Sequence, residues 1–148
     1  MVHSEDFAKV FQEMHTKRLY EEVLLILDTC EAFSLFDQVE SPNIVMVGTS
    51  VHGQHALSHH IDGALNTYVN DKFTYFFYKY LSEPQPKNVR LSDFPSLFPF
   101  DKIQSGLKIK STHKSKRLDQ IYLSDYLPLK PIERRVSRLS YSDDLIFF

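Results

Sequence analysis

The 148-residue chain has one cysteine, four glycines and no tryptophan. The single cysteine, Cys30, excludes an intrachain disulfide and any zinc site built on paired cysteines. Gly48, Gly53, Gly63 and Gly106 are too scattered to form a glycine-rich phosphate loop. A surplus of one charge sign is also missing, with 17 Lys and Arg against 19 Asp and Glu and a net charge of −2. Without a dominant positive field, the balance argues against general nucleic-acid binding. The longest clear apolar run, Val23 to Leu27, falls far short of the roughly 20 residues that cross a bilayer. Met1 to Asp6 lack the basic-then-apolar opening of a secretory signal. A soluble chain is expected, with any membrane attachment supplied by a partner or by a segment outside this sequence. What is present is ordinary globular material, 43% hydrophobic and 24% charged, enough to bury one core. Twelve Phe and eight Tyr make an unusually heavy aromatic load.

Ser4, Glu5 and Asp6 form a helix-start signal, with acids at the positive dipole end. Phe7, Val10, Phe11 and Met14 follow at helical spacing, and Lys17 and Arg18 suit the negative end. Val23-Leu24-Leu25-Ile26-Leu27 has the continuous apolar pattern of a strand covered on both faces. It breaks at Asp28-Thr29-Cys30. A short helical stretch over 34–39 closes at Ser41-Pro42, and Ile44 to Val47 form a second buried strand ending at Gly48-Thr49-Ser50. Helix, strand, helix, strand predicts parallel pairing with helices as crossovers. A polar loop over 52–66 carries four of the seven histidines. Val69, Phe73, Phe76, Phe77 and Tyr80 mark an amphipathic helix halted before Pro84, and their spacing makes them core rather than a stacking platform. Leu107 to Lys110 and Ile121 to Leu123 are weaker strand signals. The expectation is an α/β domain over 1–128 with a largely parallel sheet flanked by helices, and a tail over 129–148.

Cys30 stands between a buried strand and the next helical segment, at the carboxyl end of a sheet where reacting groups gather. A helix start there would favour thiolate over thiol. Thr49 and Ser50 end the neighbouring strand and are expected beside it, as small polar groups lining a pocket for the residue under attack. Two readings stay open: a nucleophile, or a buried thiol packing as a small hydrophobe. His52, His55, His59 and His60, at gaps of three and four, are candidate metal ligands if helical. Gly53, Ser58, Asp62 and Gly63 favour an exposed polar loop instead. Lys108, Lys110, Lys114, Lys116 and Arg117 could meet phosphate head groups or simply form a solvated face.

Leu24-Leu25-Ile26-Leu27-Asp28-Thr29-Cys30 followed by Ser41-Pro42-Asn43-Ile44 resembles the catalytic subunits of glycosylphosphatidylinositol (GPI) transamidases. These belong to the legumain-like, caspase-related cysteine peptidases. Phe7 to Tyr20 is similar to the family's helix before the cysteine strand, ending in its Lys-Arg-x-Tyr pattern. Leu57-Ser58-His59, Val69 to Tyr75, Ser111-Thr112 and Ile121 to Tyr126 are similar to later family segments in the same order. The likeness therefore runs from about residue 5 to 127. Asp28-Thr29-Cys30 stands where legumain-type endopeptidases carry Glu-Ala-Cys, which favours the transamidase branch.

The resemblance implies a caspase-like fold with Cys30 as the nucleophile and its own N–H as one oxyanion donor. It places Thr49 and Ser50 at the substrate pocket. It implies no cofactor and no metal. Implied partners are precursor proteins with a C-terminal GPI signal, the GPI lipid and other transamidase subunits, at the lumenal side of the endoplasmic reticulum membrane. The family's His-Gly-Gly motif, which supplies the base, does not precede Cys30: His3 and His15 are not followed by glycine, and His52-Gly53 lies downstream. Glu31 replaces the family's usual Gln and opposes thiolate formation. The expectation is the carboxyl-terminal half of a catalytic domain, lacking the fold's first strands and inactive alone. The alternative is a pseudoenzyme serving as a binding module. One expected consequence is an apolar strand edge at Val23 to Leu27.

Overall fold

A computed structural model describes residues 3–64, 67–86 and 88–129. The expected tail falls outside them from residue 130 onward.

Helix α1 (Ser4–Thr16) starts at His3, whose N–H donates to the Asp6 carboxylate at 2.8 Å. Ser4 is thus the first helical residue rather than the cap. The helix stops where Arg18 takes a left-handed φ of 53°, with Leu19 N–H returning to Met14 C=O at 2.9 Å. Strands β1 (Val23–Leu27) and β2 (Ile44–Gly48) pair in parallel, Val23 opposite Ile44 and Leu27 opposite Gly48. The segment between them folds as a 3-10 turn, Ala32–Phe36, not as an α-helix. Strand β3 (Ser58–Asp62) and β4 (Thr67–Asp71) form a separate antiparallel hairpin. The histidine-bearing segment is therefore part strand, where the sequence suggests only loop.

Helix α2 (Lys72–Ser82) begins three residues after Val69, which belongs to β4. Two one-turn helices follow, α3 (Phe94–Leu97) and α4 (Phe100–Ile103). Strand β5 (Lys108–Ser111) then pairs antiparallel with β2. The sheet order is β1-β2-β5, so the parallel pair carries an antiparallel strand on its far side. Residues 121–123 are extended enough to bond with 89–91, through Leu91 N–H to Ile121 C=O and Leu123 N–H to Val89 C=O.

The alternation of β2 splits the core in two. Ile44 and Met46 face Phe11, Phe36 and Val39, whereas Val45 and Val47 face Phe73, Phe94, Phe98 and Ile103. Every β2 residue is buried, as a central strand between helical layers requires. The β1 residues are only half-buried, because β1 is the outer strand among those described. No described helix is long and apolar enough to cross a membrane.

Candidate active site

Cys30 lies three residues beyond the carboxyl end of β1, and its thiol is free and exposed. It does not pack as a buried apolar group. The turn it occupies is held by the amides that follow it. Glu31 N–H donates to Gln54 C=O at 3.1 Å, Ala32 N–H to Ser50 Oγ at 3.1 Å, and Phe33 N–H to Ser50 C=O at 3.0 Å. Cys30's own N–H donates to nothing among the described residues. Glu31 takes a left-handed φ of 53°, uncommon for a residue with a Cβ, while its carboxylate accepts Gly53 N–H at 2.9 Å. The five-residue 3-10 turn that follows offers little of the dipole that a full α-helix would present.

Thr49 and Ser50, the expected pocket residues, are wholly buried and committed to this turn. Ser50 Oγ donates to Thr29 C=O at 2.6 Å while accepting Ala32 N–H. Thr49 Oγ1 donates to Asp28 Oδ1 at 2.6 Å. On the other carboxylate oxygen, Asp28 accepts both Thr74 N–H at 3.0 Å and Thr74 Oγ1 at 2.6 Å. Sequence reasoning singles out neither Asp28 nor Thr74 as a site residue. The signal available was an acid ending an apolar strand two residues before the cysteine. Among the described residues, no buried side-chain polar atom lacks a partner.

The sequence profile of the Peptidase C13 family matches residues 1–123. The chain belongs to the Peptidase C13 family. Its α/β arrangement, with β1 leading into the cysteine turn, is the caspase-like architecture of that family. Among C13 relatives, the GPI-anchor transamidase of Saccharomyces cerevisiae is 32% identical over 124 residues, spanning 83% of this chain and 30% of the relative. The GPI-anchor transamidase of Schizosaccharomyces pombe is 29% identical over 125 residues, spanning 83% and 33%. That of Homo sapiens is 36% identical over 81 residues, spanning 55% and 20%. The chain thus spans about a third or less of the length of these C13 relatives.

Among the described side chains, the remaining candidates of this C13 chain do not converge on Cys30. His52 is exposed, with Nδ1 3.7 Å from Glu31 Oε1, and His55 is exposed in the loop before β3. His59 and His60 lie on β3. Among the described residues, no histidine hydrogen-bonds to Cys30, and no three metal-ligating side chains are placed to hold an ion. The basic segment also scatters. Lys110 donates to Phe36 C=O at 2.8 Å, Lys116 pairs with Glu22, and Arg117 lies 3.3 Å from Asp119.

Proposed function

We propose that this chain carries the nucleophile of a GPI transamidase and that Cys30 is that nucleophile. The observation that carries the reading is an exposed thiol whose own N–H is uncommitted among the described residues, directly before three amides, Glu31 to Phe33, that are each bonded to the segment after β2. Such a turn holds sulfur and donor in fixed relation, which is what addition to a carbonyl requires. The sulfur adds to the backbone carbonyl of a precursor's attachment-site residue, and Cys30 N–H donates to the oxygen as it gains charge. Collapse breaks the C–N bond, the departing amine takes the proton that the thiol gave up, and the acyl group stays on Sγ as a thioester. The ethanolamine amine of a GPI lipid then attacks the thioester carbonyl, the C–S bond breaks as the new amide forms, and the proton lost by the amine returns the sulfur to the thiol. Thr49 and Ser50 serve the attachment-site pocket by fixing the backbone that rims it.

Precursors with a C-terminal GPI signal, the GPI lipid and companion transamidase subunits are the proposed partners, at the lumenal face of the endoplasmic reticulum membrane. Among the described residues no histidine hydrogen-bonds to Cys30, and slow turnover by the 148-residue chain alone is expected. The same observation favours a second reading, a binding module within the complex.

The test is conversion of a precursor to its hydroxamate in membranes containing the chain, with hydroxylamine standing in for the lipid amine. Cys30→Ala is expected to slow product formation about a thousandfold or more. Undiminished product from Cys30→Ala overturns the nucleophile. If neither the parent nor the variant forms product and both co-purify with the complex, the binding module is favoured.

A further inference from the structure

Asp28 is placed to do more than end a strand. Its carboxylate joins three elements: it follows β1, accepts Thr49 Oγ1 at the end of β2, and accepts Thr74 N–H and Oγ1 in the first turn of α2. The α2 cap residue, Asp71, makes no side-chain cap hydrogen bond, so Asp28 supplies a cap from 46 residues away in sequence. A carboxylate facing a helix start is favoured by the dipole as well as by the hydrogen bonds. On the far side of the turn, Gln54 C=O and Gly53 N–H hold Glu31. Cys30 is thus suspended between two anchored residues.

We propose that Asp28 is a positioning residue for Cys30, acting through Thr49 and Thr74 to fix the sulfur's place relative to β2 and α2. The proposal rests on the reading of Cys30 as nucleophile. Asp28 moves no proton and touches no substrate in this role. Its carboxylate restricts the residues before the cysteine to one arrangement, as a productive approach to a carbonyl demands. A cap that served stability alone would hold α2 equally well and leave the turn unaffected.

Two measurements separate these possibilities. The first is hydrogen exchange of amides 29–33 in the full chain, and the second is kcat and KM for hydroxamate formation in membranes. Asp28→Ala removes all three acceptor contacts, and exchange of 29–33 is expected to rise about tenfold or more. The same variant is expected to lose about tenfold in kcat with KM within about twofold. Asp28→Asn keeps an oxygen for Thr74 and turns an amide toward Thr49 Oγ1, so both readouts should stay within about threefold of the parent. Should Asp28→Ala fail to fold, Thr74→Val decides, since it removes the hydroxyl donor and keeps the N–H. Its exchange over 29–33 is expected to rise about threefold, with Thr74→Ser restoring the parent value. Unchanged exchange and kcat in a folded Asp28→Ala, or in Thr74→Val where Asp28→Ala does not fold, overturn the proposal. Full turnover by Cys30→Ala overturns the nucleophile instead, and the exchange data then still judge the anchoring of the turn on their own.

Discussion

Gly48 shows how little room the cysteine turn leaves. A Cβ there would stand 2.8 Å from both the Cα and the N of Phe33, and backbone cannot swing aside as a long side chain does. Gly48 is the last residue of β2 and directly precedes Thr49 and Ser50, so any adjustment also moves Ser50, which accepts Phe33 N–H at 3.0 Å. Gly48→Ala is expected to destabilise the fold by about 1–3 kcal/mol through overpacking, seen as a lower urea midpoint at unchanged m-value. Gly63 is the control. Nothing lies within 4 Å of a Cβ added there, and Gly63→Ala should change stability by less than about 0.5 kcal/mol. An equal loss in both variants would remove the packing explanation for Gly48.

Among elements, α2 is anchored by rings. Phe98, 1% exposed, lies 5.1 Å from Phe73, 5.6 Å from Phe94, 5.8 Å from Tyr80 and 5.9 Å from Phe77, measured between centroids. All four contacts are edge-on, the arrangement that aromatic quadrupoles favour. Phe98→Ala is expected to cost about 3–5 kcal/mol, read as a lower thermal midpoint, while Tyr78→Ala should cost less than about 0.5 kcal/mol. Tyr78 is 73% exposed on the opposite side of the helix, which is why the two differ. The α2 stripe is legible in sequence because a 3.6-residue period leaves a repeating apolar mark, and β1 and β2 are legible because strands covered on both faces are apolar without a break. Hairpin β3–β4 leaves no such mark. Its register is written in backbone pairs such as Ser58 with Asp71 and Ile61 with Tyr68, and Ser58-His59-His60-Ile61-Asp62 shows no apolar run. Cys30 is legible as the end of a strand, but the partners of Asp28 are not. Thr49 and Thr74 stand 21 and 46 residues away, and only the folded chain brings them to one carboxylate.

At the scale of the molecule, the segment after β5 returns to the starts of β1 and β2 and fastens both. Thr112 Oγ1 accepts Ile44 N–H at 3.0 Å and donates to Ser41 C=O at 2.6 Å, while Lys116 pairs with Glu22. Tyr126 hydroxyl lies 3.4 Å from Glu22 Oε2 and 3.5 Å from His113 Nε2. The hydrogen bond from Lys116 holds the Glu22 carboxyl below its ordinary value, against an opposing contribution from burial. Burial holds His113 below its ordinary value, with Lys116 adding to that effect and Glu22 opposing it. Burial pushes Tyr126 up, and the charges of Glu22 and Asp125 push it further. The two depressed groups act in the same direction. The unfolded chain protonates His113 near its ordinary value of about 6.5, before the folded chain does, so stability falls as pH drops below that point. The Glu22 contribution is whole above the unfolded carboxylate value of about 4.3 and is lost as pH falls through the lower folded value. Urea midpoints are therefore expected to decline from about pH 6.5 downward, and His113→Asn should flatten the upper part of that decline. Glu22→Gln should lower the midpoint at pH 7 by an amount worth less than about 1 kcal/mol, a difference that shrinks in acid. A His113→Asn curve that tracks the parent between about pH 5 and 6.5 would show that the fastening does not sense this histidine's proton.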